Sequence, residues 1–435
     1  MKAVILAAGK GERLKPLTDT MPKPMVPINN KPNLEYLILL CKKHGIKEIA
    51  INTSYLPEKI TEYFGDGSKW GVKLIFSYEP YLIGTSGALN NFKNFLDEPF
   101  FVIYGDNITD LDLTKMSEYH KKHGGIATLA LRKKPKEYKT QSLILAEDNL
   151  KITKFLEKPT EEVINSLVGE EKLINSGIYL LEPKILDYLP EGFSDFAYDT
   201  FPKMLEAKEN IFGFMMGSCY YREIGKLEKY QLAKEEIESG KEKLSFFNKA
   251  VFLDRDGVIN EHIYEVDGKI MAPATLEQFK LLSNVKEGIS EMKKMGFKII
   301  VISNQPGIDF GYISREKLEE IDLYMKRELG IDGVYYCTHH EKYSGPCECR
   351  KPKPTLLNQA SRDLIIDIKE SFMVGDSLSD IKTGQNAGTK KNILIGVVRE
   401  DILQIQHQKN IFPDFTCKDL VSVANKIAEI SSNIL

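Results

Sequence analysis

Short apolar runs alternate with amphipathic segments along the whole chain. The apolar runs are rich in β-branched and aromatic residues, a composition typical of buried strands. In the first half they are residues 3–8, 48–52, 72–78, 100–106 and 126–131. Between them, 33–45 and 112–124 carry apolar positions at helical spacing and end in glycine, a common helix terminus. This alternation predicts an α/β domain whose largely parallel sheet binds ligands at the carboxyl ends of its strands.

The same alternation restarts after a polar helical stretch at 226–243. A new apolar run occupies 249–254, and others follow at 297–304, 333–337, 371–376 and 392–397. The sequence therefore predicts two α/β domains, 1–243 and 244–435, in line with the usual size of a globular domain.

Composition narrows the class of protein. The chain has 435 residues, of which 42% are hydrophobic and 28% charged, enough apolar material for two globular cores. Its net charge of −3, with both signs interspersed, argues against a nucleic-acid or anionic-membrane partner. It has no apolar stretch of transmembrane length and no signal-peptide pattern, so we expect a cytoplasmic protein. A homo-oligomeric state is compatible with the sequence.

A glycine-rich segment, AAGKGERLKPLTDTMPKP (7–24), follows the first predicted strand. Gly9 and Gly11 let backbone amides approach phosphate oxygens, and Arg13 and Lys23 add positive charge beside them. Taken alone, the segment also suits a glycine-rich surface turn, because it matches neither a Walker loop nor a dinucleotide fingerprint.

Five further motifs follow in order: GTSGAL (84–89), YGDNI (104–108), FLEKP (155–159), NSGIYLLEP (175–183) and YREIG (221–225). With the glycine-rich segment, they make the first half resemble the sugar-phosphate nucleotidylyltransferases. The resemblance implies a Rossmann-like (GT-A-like) domain in which a sugar-phosphate oxygen attacks the α-phosphorus of a nucleoside triphosphate and pyrophosphate leaves. No protein nucleophile is required, because positioning and charge neutralisation suffice.

The resemblance also assigns residues. Arg13 and Lys23 would neutralise the triphosphate, and Asp106 would bind Mg²⁺. Glu223 would be the second Mg²⁺ ligand, standing where the family usually has aspartate. The nucleotide would be held by Ala8, Gly9, Gly11, Gly84, Thr85, Gly87 and Asp106. The sugar phosphate would be held by Glu157, Lys158 and Asn175.

The second half opens with FLDRDGVIN (252–260), in which two carboxylates follow a predicted strand. The two-residue spacing between Asp254 and Asp256 places both on one side of an extended segment. One carboxylate could act as nucleophile and the other as general acid and base. Taken alone, the pair also suits a turn capped by aspartates.

Three later segments favour the catalytic interpretation of this pair over a capped turn. VISNQPG (301–307), CRKPKP (349–354) and MVGDSLSDI (373–381) make the second half resemble the haloacid-dehalogenase-type phosphatases. The resemblance implies Asp254 as nucleophile, Asp256 as acid and base, and Lys351 as the cation that stabilises the transferred phosphoryl group. The phosphate would be bound by Ser303, Asn304 and Arg350, and Mg²⁺ by Asp254, Asp256 and Asp376, with Asp380 supporting that site from behind. No insertion long enough for a large cap domain is present.

Four further side chains have the spacing of a metal site. Cys337, His339, Cys347 and Cys349 form a C-x-H…C-x-C set, suited to a structural Zn²⁺ with three sulfur ligands and one nitrogen ligand. His340 is the competing nitrogen ligand, and buried cysteines beside an unrelated histidine are the alternative. The set resembles the zinc loop of the heptose-bisphosphate and histidinol-phosphate phosphatases.

The sequence thus predicts a bifunctional enzyme of nucleotide-sugar biosynthesis. The favoured pair is a guanylyltransferase for D-glycero-D-manno-heptose 1-phosphate and a heptose 1,7-bisphosphate 7-phosphatase. The alternative is a cytidylyltransferase for a glycerol or polyol phosphate joined to a triose- or polyol-phosphate phosphatase, so GTP and CTP both stay open. Two further interpretations are open. In one, one half has lost its catalytic activity and acts as a regulatory module; in the other, the protein is a zinc-dependent nucleic-acid binder. The complete carboxylate sets and the slightly acidic chain argue against these two.

Overall fold

The computed structural model describes residues 1–133, 142–157, 159–167, 172–239, 241–242, 244–264, 270–396 and 410–432. The chain divides into two compact units, Met1–Phe246 and Phe247–Leu435. Of the predicted site residues, Lys158 lies outside the described residues. Within the described parts, no helix is both long and apolar enough to cross a bilayer.

The first unit alternates strands and helices, as its apolar pattern predicts. Its strands are β1 (Lys2–Leu6), β2 (Pro27–Ile28), β3 (Lys31–Pro32), β4 (Glu48–Thr53), β5 (Lys73–Tyr78), β6 (Phe100–Tyr104), β7 (Asn107–Thr109), β8 (Ala127–Lys133), β9 (Ser142–Ala146), β10 (Ile152–Glu157), β11 (Leu173–Leu181), β12 (Ile211–Met215) and β13 (Tyr221–Glu223). Its helices are α1 (Asn33–Lys43), α2 (Pro57–Phe64), α3 (Leu113–His123), α4 (Glu161–Ser166), α5 (Phe201–Glu206) and α6 (Leu227–Glu238).

Local sequence explains where these elements begin and end. Helix α3, for example, begins after Asp112, whose carboxylate accepts the backbone N–H of Lys115 at 3.0 Å, a standard N-cap. It ends at Gly124, which has a φ of 66°, a left-handed conformation that glycine adopts at little cost.

The main sheet of the first unit is mixed rather than largely parallel. Strands β5, β4, β1 and β6 pair in parallel. Strand β11 then pairs antiparallel with β6 and with β8, and β9 pairs antiparallel with β10. The connection between β9 and β10 is too short for a crossover helix, which a parallel pair would need. The parallel half carries the carboxyl edge that ends in the glycine-rich segment and Asp106.

The second unit is built on a fully parallel sheet with the order β18-β17-β14-β19-β20-β21. Its strands are β14 (Lys249–Leu253), β15 (Ile263–Tyr264), β16 (Ile270–Met271), β17 (Phe297–Asn304), β18 (Gly333–Cys337), β19 (Phe372–Gly375), β20 (Lys391–Ile395) and β21 (Phe415–Cys417). Its helices are α7 (Val285–Lys294), α8 (Arg315–Tyr324), α9 (Glu341–Ser344), α10 (Thr355–Leu364), α11 (Leu378–Ala387) and α12 (Leu420–Ser432).

Both faces of this sheet are covered. Along β14, Val251 and Leu253 belong to the apolar cluster that α7, α8 and α12 complete. Ala250 and Phe252 belong to the opposite cluster, with α10. Successive side chains of a strand point to opposite faces, so a strand buried on both sides reads as a continuous apolar run. Burial on both faces fixes β14 firmly and gives Asp254, the next residue, a defined position at the sheet edge.

Candidate active sites

The glycine-rich segment and three loops enclose a cavity at the carboxyl edge of the first sheet. The cavity has a volume of about 310 Å³. Its lining residues are Leu6, Ala7, Ala8, Gly9, Lys23, Pro24, Asn52, Glu79, Leu82, Gly84, Thr85, Tyr104, Gly105, Asp106, Phe193 and Asp195. Gly11 adopts a left-handed φ of 70°, which turns the chain so that the segment returns to the cavity at Lys23. Five of the residues expected to hold the nucleotide thus line one cavity. They are Ala8, Gly9, Gly84, Thr85 and Asp106.

Lys23, Asp106 and Glu223 converge at one point of this site. Lys23 forms a short, largely buried ion pair with Asp106. A Cβ at Gly225 would lie 2.8 Å from Glu223 Oε1, 3.2 Å from Lys23 Nζ and 3.3 Å from Asp106 Oδ2. Antiparallel pairing of β7 with β13 sets Glu223 opposite Asn107, the neighbour of Asp106. Both carboxylates therefore lie close to Gly225, and the lack of a side chain at Gly225 leaves the space beside them open.

The loop at 84–87 is held by a distant segment. The carbonyl of Ser194 accepts the backbone N–H groups of Ser86 and Gly87, each at 3.0 Å. A Cβ at Gly84, where φ is +83°, would lie 2.2 Å from that carbonyl oxygen. A Cβ at Gly87 would lie 2.8 Å from the carbonyl oxygen of Gly192. Both glycines thus allow close packing of two backbones, and Gly84 also lines the first cavity.

A second cavity of about 310 Å³ adjoins the first. Its lining includes Arg13, Glu157 and Asn175, to which the family resemblance assigns the triphosphate and the sugar phosphate. Thr85, Tyr104, Asp106 and Asp195 line both cavities. The two cavities therefore share part of their walls, including Asp106.

Three charged residues that line these cavities were not predicted from the sequence. Arg132 follows the apolar run 126–131, and its guanidinium lies 4.0 Å from the ring of Tyr221 in the second cavity. Its position at a strand end was the signal that could have found it. Asp195 accepts both the N–H and the hydroxyl of Thr85, but no local pattern points to it. Glu79 is buried and lines the first cavity, and no sequence pattern around it indicated a site.

In the second unit, Asp254 lies in a compact charged cluster at the carboxyl end of β14. Lys351 Nζ is 2.9 Å from Asp254 Oδ1 and 2.5 Å from Asp380 Oδ1, and it also donates to the Ile302 carbonyl at 3.1 Å. All three side chains are buried. Asp380 receives the N–H and hydroxyl of Ser377 as the capping box of α11. The helix start thus fixes Asp380, and Asp380 fixes Lys351.

Burial governs the ionisation of this cluster. Burial raises the pKa of Asp254 to about 6, although the positive charge of Lys351 acts in the opposite direction. Burial would lower the pKa of Lys351, but the charges of Asp254 and Asp380 outweigh it and raise that pKa above its usual value. Lys351 therefore stays charged near neutral pH, and Asp254 is mostly ionised there.

Asp376 completes a group of three carboxylates. Oxygen atoms of Asp254, Asp376 and Asp380 all lie within 4.8 Å of one another, a donor set that suits Mg²⁺. His262 Nε2 lies 2.8 Å from Asp376 Oδ2. The carboxylate of Asp256 instead contacts Arg255, Gln305 and Asn260. The grouping favours Asp254 and Asp376 as cation ligands, with Asp380 behind them.

A cavity of about 440 Å³ opens in front of this cluster. The predicted phosphate-binding residues Ser303, Asn304 and Arg350 all line it, together with Asp254 and Asp256. Asn304 Oδ1 accepts the backbone N–H of Lys351 at 3.0 Å, so the end of β17 holds the loop that carries the lysine. The structure thus brings together the residues that four separate motifs supply.

The four residues of the predicted metal loop also meet. The sulfurs of Cys337 and Cys347 are 3.6 Å apart, those of Cys347 and Cys349 are 3.7 Å apart, and His339 Nδ1 is 3.2 Å from Cys349 Sγ. Thiolates around a tetrahedral Zn²⁺ with bonds of about 2.3 Å lie about 3.8 Å apart. His340 instead packs against Phe310 at a ring distance of 4.7 Å. The geometry favours His339 over His340 as the nitrogen ligand.

Comparisons with known proteins match the chain to two family models, which overlap at residues 197–240. Residues 2–240 match the family model described as nucleotidyl transferase, and residues 197–388 match the one described as haloacid dehalogenase-like hydrolase. Over 244 residues the chain is 39% identical to the UTP–glucose-1-phosphate uridylyltransferase of Synechocystis sp., covering 53% of this chain and 61% of that protein. It is 34% identical over 229 residues to the mannose-1-phosphate guanyltransferase of Yarrowia lipolytica, covering 52% of this chain and 61% of that protein.

The second half has relatives of its own. Over 160 residues the chain is 38% identical to the D-glycero-β-D-manno-heptose-1,7-bisphosphate 7-phosphatase of Haemophilus influenzae, covering 34% of this chain and 82% of that protein. The chain belongs to the nucleotidyl transferase family, and its second half belongs to the haloacid dehalogenase-like hydrolases. It spans about three fifths of the length of the nucleotidyltransferase relatives that it matches.

The cluster around Lys351 predicts a large stability cost for removing its charge. Lys351→Met leaves two buried carboxylates without their cation, and breaking a buried pair in this way costs about 3–5 kcal/mol. Lys391→Met is the matched control, because Lys391 forms a partly exposed pair with Asp414 at 2.8 Å, and such pairs contribute about 0–1 kcal/mol. Hydrogen exchange of peptides from β14 and β19 in the full-length protein measures the loss of stability in each variant. Equal protection in the two variants would contradict the account of this cluster.

Proposed function

We propose that the protein is bifunctional. The first unit transfers a nucleotidyl group from a nucleoside triphosphate to a sugar phosphate, and the second hydrolyses a phosphate monoester. The observation that carries the proposal is that each unit has its own set of facing carboxylates and lysines beside its own cavity: Lys23, Asp106 and Glu223 in one, Asp254, Asp376 and Lys351 in the other. Membership of a transferase family and a hydrolase family supports the same division.

In the transferase, an oxygen of the sugar phosphate attacks the α-phosphorus and the bond to pyrophosphate breaks. Arg13 and Lys23 neutralise the charge on the transferred and leaving groups, which is the main source of catalysis in such a reaction. Glu157 and Asn175, in the second cavity, orient the sugar phosphate. Asp106 and Glu223 would hold Mg²⁺, because facing carboxylate oxygens are its preferred ligands, and the ion would supply further charge neutralisation.

In the phosphatase, Asp254 attacks the phosphorus, and the bond to the leaving oxygen breaks to give an aspartyl-phosphate. Asp256 protonates that oxygen and then takes a proton from the water that hydrolyses the intermediate. Lys351 and the donors of Ser303, Asn304 and Arg350 stabilise the charge on the transferred group. Asp254 and Asp376 would hold Mg²⁺, which would add charge neutralisation at the same phosphate.

We further propose a heptose pathway as the setting. The Haemophilus influenzae relative of the second unit is named as a phosphatase of heptose 1,7-bisphosphate. Removal of the 7-phosphate from that compound leaves a heptose 1-phosphate, which is a sugar phosphate of the kind that the first unit would take. The two reactions would then be consecutive, with nucleotidyl transfer second. Selective turnover of CTP with a glycerol or polyol phosphate would instead support the alternative pairing.

Glu79 supports guanine as the base. Its carboxylate lines the nucleotide cavity and is only 2% exposed. Asn52 donates to it at 2.9 Å and accepts the N–H of Ala7 at 2.7 Å, which fixes the orientation of the Asn52 amide. A carboxylate only accepts hydrogen bonds, and guanine offers two adjacent donors on its Watson–Crick edge. Uracil and cytosine present an acceptor beside their donor, which a carboxylate disfavours.

We also propose that the Cys337, His339, Cys347 and Cys349 cluster holds a structural Zn²⁺. Three thiols and one imidazole form a closed four-ligand set of the kind that structural zinc takes. The loop leads directly into Arg350 and Lys351, and Arg350 donates to the His339 carbonyl at 3.2 Å. The ion would therefore stabilise the loop that delivers two charged side chains to the phosphatase cavity.

Separate substitutions should separate the two activities. Asp254→Asn removes the nucleophile and should abolish phosphate release while nucleotidyl transfer stays within about twofold, because it leaves the transferase carboxylates untouched. Lys23→Ala should lower nucleotidyl transfer about 100-fold or more and spare phosphate release. Phosphate and pyrophosphate are assayed separately on each full-length variant. Loss of both activities in each variant would contradict two independent sites.

Changing the base-facing carboxylate should change nucleotide choice. Glu79→Gln replaces one acceptor oxygen of the carboxylate with an NH₂ donor. We therefore expect kcat/KM for GTP relative to UTP to fall by about tenfold or more. Glu48→Gln is the matched control, since Glu48 lies at the start of β4, outside the cavity lining. Competition of the four nucleotides for one sugar phosphate measures the ratio. An unchanged ratio in Glu79→Gln would remove the support that this residue gives to guanine.

Removal of one thiol should release the proposed zinc. We expect about one zinc per chain in the purified protein and much less in Cys349→Ala, because structural sites need all four ligands. Phosphatase activity should fall and nucleotidyl transfer should persist. Cys417→Ala, in the same unit but outside the cluster, should keep its zinc. Wild-type protein that binds no zinc during elemental analysis with added metal would contradict the assignment.

A further inference from the structure

Arg255 is an unexpected residue to find in a protein core. It lies between Asp254 and Asp256 in the chain, and its side chain is fully buried. Burying a guanidinium is expensive unless it is paired and hydrogen-bonded. None of the roles in the proposed phosphatase reaction uses it, so its burial requires another explanation.

The contacts of Arg255 are directed at Asp256. Nε donates to Asp256 Oδ1 at 3.1 Å and Nη2 donates to Oδ2 at 3.2 Å, a two-point arrangement that fixes the plane of a carboxylate. The rings of Phe279 and Tyr336 lie 5.9 and 5.7 Å from the guanidinium carbon. The arginine is thus confined by the core on one side and presents its fork to Asp256 on the other.

Gln305 completes the arrangement. Its Oε1 accepts from Arg255 Nη2 at 2.8 Å, and its Nε2 donates to Asp256 Oδ2 at 2.6 Å. The same Nε2 lies 3.2 Å from Ser303 Oγ, and the Gln305 N–H donates to the Cys337 carbonyl at 2.7 Å. The side chain therefore joins the phosphate-binding serine, the buried arginine and Asp256.

Asp256 is consequently held at both oxygens. With Asn260 Nδ2 donating to Oδ1 at 2.9 Å, each oxygen receives two donors, which matches the roughly four acceptor positions of a carboxylate. Protonation of Asp256 requires one donor to leave. Gln305 Nε2 is suited to do so, because it already donates to Ser303 Oγ at 3.2 Å as well as to Asp256.

We propose that Arg255 and Gln305 are positioning residues for proton transfer by Asp256: Arg255 fixes the carboxylate plane, and Gln305 is the donor that yields when Asp256 carries the proton. This inference rests on the proposed phosphatase function. In the first step, the Asp256 proton passes to the leaving-group oxygen as the phosphorus–oxygen bond breaks, and Gln305 donates again to the ionised carboxylate. In the second step, Asp256 takes a proton from water, and Gln305 gives up its bond to Asp256 while keeping its bond to Ser303.

The test compares two leaving groups. A sugar alkoxide needs a proton in order to leave, whereas p-nitrophenolate leaves without one. General acid catalysis typically contributes about 10²–10⁴-fold, so we expect Arg255→Lys and Gln305→Ala to lower kcat for heptose 1,7-bisphosphate about 10- to 100-fold with little change in KM. With p-nitrophenyl phosphate, formation of the phosphoenzyme, read as the burst of p-nitrophenolate, should change less than about threefold.

Two controls keep the outcomes distinct. Arg327→Lys, at a largely exposed arginine, should leave the turnover of both substrates unchanged. Asp256→Asn should show the same leaving-group dependence as Arg255→Lys in a stronger form. Equal losses on both substrates in Arg255→Lys and Gln305→Ala would overturn the inference and indicate a purely structural role. Undiminished phosphate release in Asp254→Asn would overturn the phosphatase mechanism itself, which is a different failure.

Discussion

Carboxylates at the ends of buried strands need a cation, and this constraint organises both sites. A carboxylate withdrawn from water without a partner loses several kcal/mol of solvation, so it either binds a proton or pairs with positive charge. The first unit pairs Asp106 with Lys23. The second pairs Asp254 and Asp380 with Lys351. Lys351 lies just after the thiol cluster, and Asn304 accepts its backbone N–H. In each unit the lysine lies outside the sheet, while the carboxylate follows a strand: Asp254 directly after β14, and Asp106 two residues after the end of β6.

The two carboxylates of the phosphatase motif are separated by their surroundings. Asp254 faces Lys351, and burial raises its pKa to about 6. Asp256, two residues later, faces Arg255, Gln305 and Asn260. Different environments for neighbouring carboxylates are a common way to give one the role of nucleophile and the other that of acid and base. The burial of Arg255 between them is part of how this chain makes that difference.

Much of the second site could be predicted from sequence, because its residues follow strands at the same edge of one parallel sheet. Asp254, Ser303 and Asp376 each lie at a strand end, but the resemblance to a phosphatase family was needed to assign their roles. The first site was harder. The loop at Gly84 is held by Ser194, about 110 positions away, and only tertiary packing reveals that contact. The parallel arrangement was right for β5, β4, β1 and β6 and wrong for β8 to β11, where apolar runs alone do not specify strand direction. Arg255 was hidden for a related reason: an arginine in a polar motif gives no sign that the core encloses it.

The central claim is that one chain carries two consecutive chemical activities. The most direct measurement is ³¹P NMR of the full-length protein incubated with heptose 1,7-bisphosphate, GTP and Mg²⁺. The account predicts that the 7-phosphate signal converts to inorganic phosphate, and that a nucleotide-sugar diphosphate and pyrophosphate then appear. Nucleotidyl transfer to the intact bisphosphate, or phosphate release with no nucleotide sugar from any of the four nucleotides, would contradict it.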